Sequence, residues 1–201
     1  MAAPRNYKLL NGAFAYAADW HREDVRKSTE VPVIAHLLAV ASLVLEHGGS
    51  DEQAAAALLH DVAEDHGGRA RLREIRKKFG PKVARMVEDC SDSLKSDPKK
   101  KDKWKKRKVA YIKQLRTAKK DALLVSCADK VYNARATVKD ARTIGPKVWD
   151  RFNAGASKQA WYYRELSTVF STRMTKEPAA ALARELAEIV TELEAEAAKA
   201  G

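Results

Sequence analysis

Apolar residues recur at helical spacing along nearly the whole chain, and no stretch alternates well enough to read as a strand. A first helix is predicted from about Leu9 to Arg22, with Ala13, Tyr16, Ala17 and Trp20 on one face. The polar stretch EDVRKSTEV follows as a loop. Pro32 opens a second helix at its first turn, where a missing N–H costs nothing. That helix runs through VIAHLLAVASLVLEH to Gly48-Gly49. Ser50 and Gln53 form a capping box for a third helix, which holds ALLHDVAEDH and ends at Gly67-Gly68. A fourth helix, Arg71 to Phe79, stops at Gly80-Pro81, and a fifth continues to about Asp89. The polar segment SDSLKSDPKKKDKWKKRK loops through Pro98 into a helix ending near Leu115. Further helices are predicted from Asp121 to about Ala141, over AWYYRELSTVF, and from Pro178 onward. The last carries an apolar stripe of Leu182, Leu186, Ile189, Val190 and Leu193. The fold class is therefore all-α: one compact bundle over residues 1–175, then an amphipathic helix over 176–201. That helix packs on the domain or on a second copy, so monomer and homodimer both stay open.

Composition sharpens this picture. The 201 residues are 45% hydrophobic, which supports a packed core and excludes a disordered tail. A formal net charge of +11 favours an anionic partner: a phosphorylated small molecule, a nucleic acid or a membrane surface. YKLLNGAFAYAADW has some look of a signal core, but Asn11, Gly12 and Asp19 interrupt it. Cys90 and Cys127 form no CxxC pair and suit a reducing compartment. A cytoplasmic chain with no membrane span is expected.

ALLHDVAEDH concentrates His60, Asp61, Glu64 and Asp65 in an apolar helix. At ~100° per residue the four share one arc, and within it only Ala54 and Ala57 lie on the turns above, leaving room for a ligand. Carboxylates near a helix C-terminus oppose its dipole, so the cluster asks for a cation. A solvated face with a cap is the plainer explanation. His36 interrupts the apolar run VIAHLLAVA, and Asp129 interrupts LLVSCADKVY. Taken alone, His36 suits a hydrogen-bonded core histidine, and Asp129 an ion pair with Lys130 or Arg135. Together His36, His60, Asp61 and Asp129 make a mixed nitrogen and oxygen set, suited to manganese, iron, zinc or nickel rather than calcium.

A lone His, the doublet His60-Asp61 inside ALLHDVAED, and a later Asp129 resemble the HD-domain metal-dependent phosphohydrolases. The longer strings resemble the hydrolase domain of the RelA/SpoT alarmone enzymes and the stand-alone small alarmone hydrolases. Arg26-Lys27, KWKKRKVAYIKQL and VSCADKVYNARATVKD match that pattern in order, over roughly residues 10 to 170. The resemblance implies Mn²⁺-dependent removal of the 3′-pyrophosphate from guanosine tetra- or pentaphosphate. It implies that His36, His60, Asp61 and Asp129 hold the metal, and that Glu64 and Asp65 activate and orient water. It implies that Asn133 meets the ribose, that Arg26 and Lys27 meet base and phosphates, and that Lys130 and Arg135 of the same motif help bind substrate. Two stretches depart from the pattern: Ser91 to Ser93 replace an acidic pair, and STEVPVIAH replaces a Gly-x-Pro-Tyr run. The length leaves no room for a synthetase domain, so degradation alone is expected.

PKKKDKWKKRK reads three ways: a solvated helix entrance, a nucleic-acid contact, or a positive rim that steers a polyphosphate. Trp161, Tyr162 and Tyr163 are either core residues or a platform for a purine. Two rival readings stand beside the alarmone hydrolase. One is an HD phosphohydrolase for another nucleotide, such as an adenosine alarmone, a deoxynucleotide or a phosphorylated dinucleotide. The other is a basic helical nucleic-acid-binding protein with a structural metal. A complete ligand set with two spare carboxylates favours a nucleotide polyphosphate over nucleic acid.

Overall fold

A computed structural model describes residues 4–200 and is helical as expected. The helices are α1 (Tyr7–Trp20), α2 (Val33–Glu46), α3 (Asp51–Leu59), α4 (Val62–Asp65), α5 (Gly68–Cys90), α6 (Trp104–Thr117), α7 (Lys120–Ile144), α8 (Gly155–Arg173) and α9 (Ala179–Ala198). Two 3₁₀ segments complete the chain: Pro98–Lys100 lies in the loop expected there, and Gly145–Arg151 joins α7 to α8. The extended backbone recorded among the described residues is a single bridge between Val25 and Pro32, which pins the loop before α2.

The long helix α7 organises the bundle. It packs against α2, α3, α5, α8 and α9, and Leu123, Val125, Ala128, Val131 and Ala134 along it are fully buried. Burying an unbroken apolar run requires neighbours on several sides, and those five helices supply them. Helix α3 packs on α1, α2 and α5 through an all-alanine face, Ala54 to Ala57, with no exposed surface. Small side chains let these backbones approach closely. The Ser50 capping box is formed: the hydroxyl accepts from the Gln53 N–H at 3.3 Å, and the Gln53 amide accepts from the Ser50 N–H at 2.9 Å. Gln53 also donates to the Asp121 carbonyl at 2.9 Å, tying the start of α3 to α7.

The structure corrects two local readings. ALLHDVAEDH is not one helix: the chain leaves helix at His60 and re-enters it as α4. The His60 ring supplies a reason. Its Nδ1–H donates to the Ala57 carbonyl at 2.7 Å, the acceptor an unbroken helix would offer to the Asp61 N–H. Glu64 and Asp65 therefore sit in a separate short helix rather than at the negative end of a long one. Ala54 and Ala57 are core residues and not the floor of a site. The helix breaks at Gly80-Pro81 as expected: Gly80 is non-helical at φ 88°, and the two helical stretches of α5 meet there at a kink.

Helix α9 lies on α7 and α8. Leu182, Leu186 and Leu193 are fully buried there, and Glu185, Glu192 and Glu194 pair with Arg135, Arg142 and Arg164.

Candidate metal centre and its basic wall

Two helices and one break between helices bring four side chains to a point. His36 comes from α2, His60 and Asp61 from the break between α3 and α4, and Asp129 from α7. The two His Nε2 atoms are 3.3 Å apart. His36 Nε2 lies 3.3 Å from Asp129 Oδ1 and 3.5 Å from Asp61 Oδ2. His60 Nε2 lies 3.2 Å from Asp61 Oδ1 and 3.7 Å from Asp129 Oδ1. Donors about 2.1 Å from a common ion lie ~3.0–3.5 Å from one another, so the spacing fits a coordination shell.

The chemistry of the donors fits as well. With its Nδ1 proton committed to a carbonyl, neutral His60 points a bare Nε2 lone pair at the cluster. His36 Nδ1 is buried without a partner. Burial alone would push the Asp61 and Asp129 carboxyls up. The neighbouring imidazoles outweigh it at Asp61, and Lys130 with the imidazoles does so at Asp129, so both stay well below the usual carboxylate range. Burial disfavours a charged His60, yet the same carboxylates raise its pKa well above the ordinary value. That set wants one positive charge at its centre, which a divalent ion supplies without a proton.

Glu64 and Asp65 border the same cavity, about 480 Å³, as do Asp61, Asp129, Lys108 and Tyr162. Desolvation, then the Asp92 charge, push Glu64 up to about 7. Desolvation and the Asp61 charge push Asp65 up to about 6. The Asp92 N–H donates to Glu64 Oε2 at 3.0 Å, and Lys101 Nζ reaches Oε1 at 3.4 Å. Asp65 is exposed and lines the cavity beside Glu64.

The other residues singled out from sequence fall into two groups. Arg26 donates to Asn133 Oδ1 at 2.6 Å and lies 5.2 Å from the Tyr132 ring centre. Asn133 donates in turn to Asp129 Oδ1, and Lys130 to Asp129 Oδ2, each at 2.5 Å. Arg26, Lys27, Lys130 and Asn133 line both the metal cavity and an adjoining one of about 340 Å³. Arg135 does not join them. It pairs with Glu185 of α9 and lines a separate groove against α2. At two residues past Asn133 on α7, its side chain points away from that face.

Sequence reading missed a supporting network. The Asp92 carboxylate, 7% exposed, accepts from Arg107 and from Lys108 at 2.7 Å. Asp92 is the middle of the Ser91–Ser93 stretch, so one acid there is retained and neutralised by the basic helix. The signal was a lone aspartate with basic residues following; its pairing depends on a loop closure that no periodicity reveals. The basic run is thus divided. Lys101, Arg107 and Lys108 face the site, Lys106 pairs with Asp102 at 2.8 Å, and Lys105 sits 2.9 Å above Trp161. Tyr162 and Tyr163 are buried, as the core reading expects, and they also line the adjoining cavity, whereas Trp161 does not.

A family model for the HD domain matches residues 13–155. The human guanosine-3′,5′-bis(diphosphate) 3′-pyrophosphohydrolase MESH1 is 35% identical over 145 residues, covering 71% of this chain and 74% of its own. The bifunctional (p)ppGpp synthase/hydrolase SpoT of Escherichia coli is 35% identical over 133 residues, covering 64% of this chain. The chain spans only 18% of SpoT and 16% of a probable 3′-pyrophosphohydrolase from Synechocystis. A solved metazoan SpoT ortholog described as hydrolysing ppGpp shares the fold, with a TM-score of 0.69 at 24% identity over 95% of this chain and 97% of that one.

Proposed function

The chain belongs to the HD-domain family, and we propose that it is a metal-dependent phosphohydrolase that removes the 3′-pyrophosphate of guanosine tetra- or pentaphosphate. The observation that carries this reading is the convergence of His36, His60 and Asp129, with Asp61 within 3.5 Å of both histidines, beside two carboxylates of raised pKa and against a wall of cations. The similarity to stand-alone and bifunctional ppGpp hydrolases supports the choice of substrate. Mn²⁺ suits the mixed imidazole and carboxylate set. When bound, such an ion neutralises phosphate charge and makes water more acidic.

The remaining work falls to this chain's own residues. His36, His60, Asp61 and Asp129 hold the ion. Glu64 takes the proton of the attacking water. Its pKa of about 7 suits a base that must lose and regain a proton near neutrality. Asp65 orients that water from the cavity mouth. Arg26 and Lys27 meet the base and phosphates, Asn133 the ribose, and Lys130 adds positive charge beside the cluster. Water adds to the phosphorus bonded to the ribose 3′-oxygen, the bond from that phosphorus to O3′ breaks, and O3′ takes up a proton, giving pyrophosphate and the 5′-di- or triphosphate with a free 3′-hydroxyl.

No helix among the described residues is long and apolar enough to cross a membrane; a cytoplasmic enzyme is part of the proposal. The test is a nucleotide panel with Mn²⁺, its products identified by mass. Pyrophosphate release from 3′-diphosphorylated guanosine nucleotides is expected. Turnover confined to adenosine alarmones, deoxynucleotides or phosphorylated dinucleotides would keep the reaction class and overturn the substrate.

A further inference from the structure

A second group of metal-type donors stands apart from the first. His21 ends α1, Asp24 lies in the following loop, and His66 caps the C-terminus of α4. Asp24 Oδ2 is 2.7 Å from His21 Nδ1 and 2.7 Å from His66 Nε2, and the two nitrogens are 3.3 Å apart. The three atoms thus face one common volume. Three donors ~2.0–2.2 Å from one tetrahedral ion are ~3.3–3.6 Å apart; the two nitrogens already have that spacing, and the Asp24 oxygen would draw back by under ~1 Å to admit the ion.

Hydrogen bonding alone satisfies this group poorly. Both nitrogens would send a proton to the same oxygen at an acute angle, and the two protons would crowd each other. The His21 side chain is wholly buried, which shields its Nδ1 from water and holds it against Asp24 and His66. Burial lowers the His21 pKa. Burial raises that of Asp24, but the two imidazoles hold it below the usual carboxylate range. Neutral imidazole and ionised carboxylate are the forms that ligate metals. Asp24 and His66 remain 38% and 24% exposed, which gives an ion a way in and leaves coordination positions for water.

We propose that His21, Asp24 and His66 form a second divalent-metal site, of two imidazoles and one carboxylate, for a borderline ion of the zinc class. It joins the α1–α2 loop to the end of α4, the short helix that carries Glu64 and Asp65. The backbone there is already held by Arg71, whose Nε donates to the His66 carbonyl at 3.0 Å. An ion would add a cross-link on the opposite side of the same residue. The site uses none of the residues assigned to hydrolysis, so it stands or falls independently of the proposed reaction.

The experiment counts metal. Full-length protein is stripped with chelator, refilled with Zn²⁺ and weighed by native mass spectrometry, with circular dichroism to check that each metal-free variant is folded. Wild type is expected to hold two ions. His66→Ala and Asp24→Asn should each hold one, His60→Ala one, and His60→Ala with His66→Ala none. Asp24→Asn keeps the side chain's shape and guards against a folding defect in His66→Ala. Zn²⁺ should also raise the melting temperature of wild type more than that of Asp24→Asn. A single ion in wild type, abolished by His60→Ala and untouched by Asp24→Asn, would overturn the proposal. So would a second ion that persists in both Asp24→Asn and His66→Ala.

Discussion

A carboxylate accepts a proton only while ionised, and Glu64 sits where ionisation is opposed. Burial and the nearby Asp92 charge raise it to about 7, while Lys101 pulls the other way. As the base it must be deprotonated, so activity should rise with pH through a limb centred near or below 7; a bound cation would move the limb downward. A rate profile for Glu64→Gln should lack that limb, and an unchanged profile would remove Glu64 from the proton transfer. Asp92 shows the opposite environment. Burial raises its pKa, but Lys108 and Arg107 overcome this and bring it to about 2. A group depressed in the folded state stabilises the fold above its unfolded pKa, about 4 for Asp, and loses that contribution as pH falls toward 2. Asp92→Asn leaves two partly buried cations without their partner. It should lower stability by about 1–3 kcal/mol at pH 7. Urea titrations should show the gap to wild type closing below pH 4, and a gap that stays constant would contradict the ion-pair account.

Elements decide which of these residues meet. Gly68 begins α5 at φ 59°, and a Cβ there would lie 2.3 Å from the Leu94 carbonyl oxygen. That contact seats the loop whose Asp92 N–H holds Glu64. Gly68→Ala meets both a left-handed backbone, costing about 1–2 kcal/mol, and a collision with backbone that cannot swing aside. A fall in melting temperature of at least about 2–4 °C is expected, together with reduced turnover; a neutral result would mean the loop is not seated on Gly68. Leu186→Ala should cost about 2–5 kcal/mol without changing metal content, because α9 packs on the side of α7 that carries Arg135, away from the Asp129 face. If instead it left monomer stability intact and dispersed a dimer, α9 would be covered by a second copy. The helices themselves were legible in the chain, since each buries a periodic face and several carry their caps, as Ser50 and Gln53 do. His36, His60, Asp61 and Asp129 could be grouped because each ionisable side chain interrupts an apolar run. The break at His60 was not legible. Both of its residues keep right-handed helical backbone, and the cause is a side chain capturing a carbonyl. Arg135 misled because its motif neighbours face the site, while its own partner, Glu185, is fifty residues further on. Asp92 was hidden for the same reason: its partners are set by tertiary closure.

The whole molecule adds a field. A net charge of +11, with Arg26, Lys27, Arg107, Lys108 and Lys130 around two adjoining cavities, should draw a polyanionic nucleotide toward the metal cluster. Raising ionic strength should therefore raise KM and leave kcat nearly unchanged, since screening acts on approach more than on the buried chemistry. A KM indifferent to salt would reduce the basic wall to local pairing. The central claim is a division of labour around one ion, and it is tested most directly by measuring metal content and turnover side by side in Asp61→Ala and Glu64→Gln. Asp61→Ala should hold one ion fewer than wild type and lose turnover with it. Glu64→Gln should keep the full metal content and its nucleotide affinity while turnover falls about 10²–10⁴-fold. Loss of the ion in Glu64→Gln, or its retention in Asp61→Ala, would contradict the account.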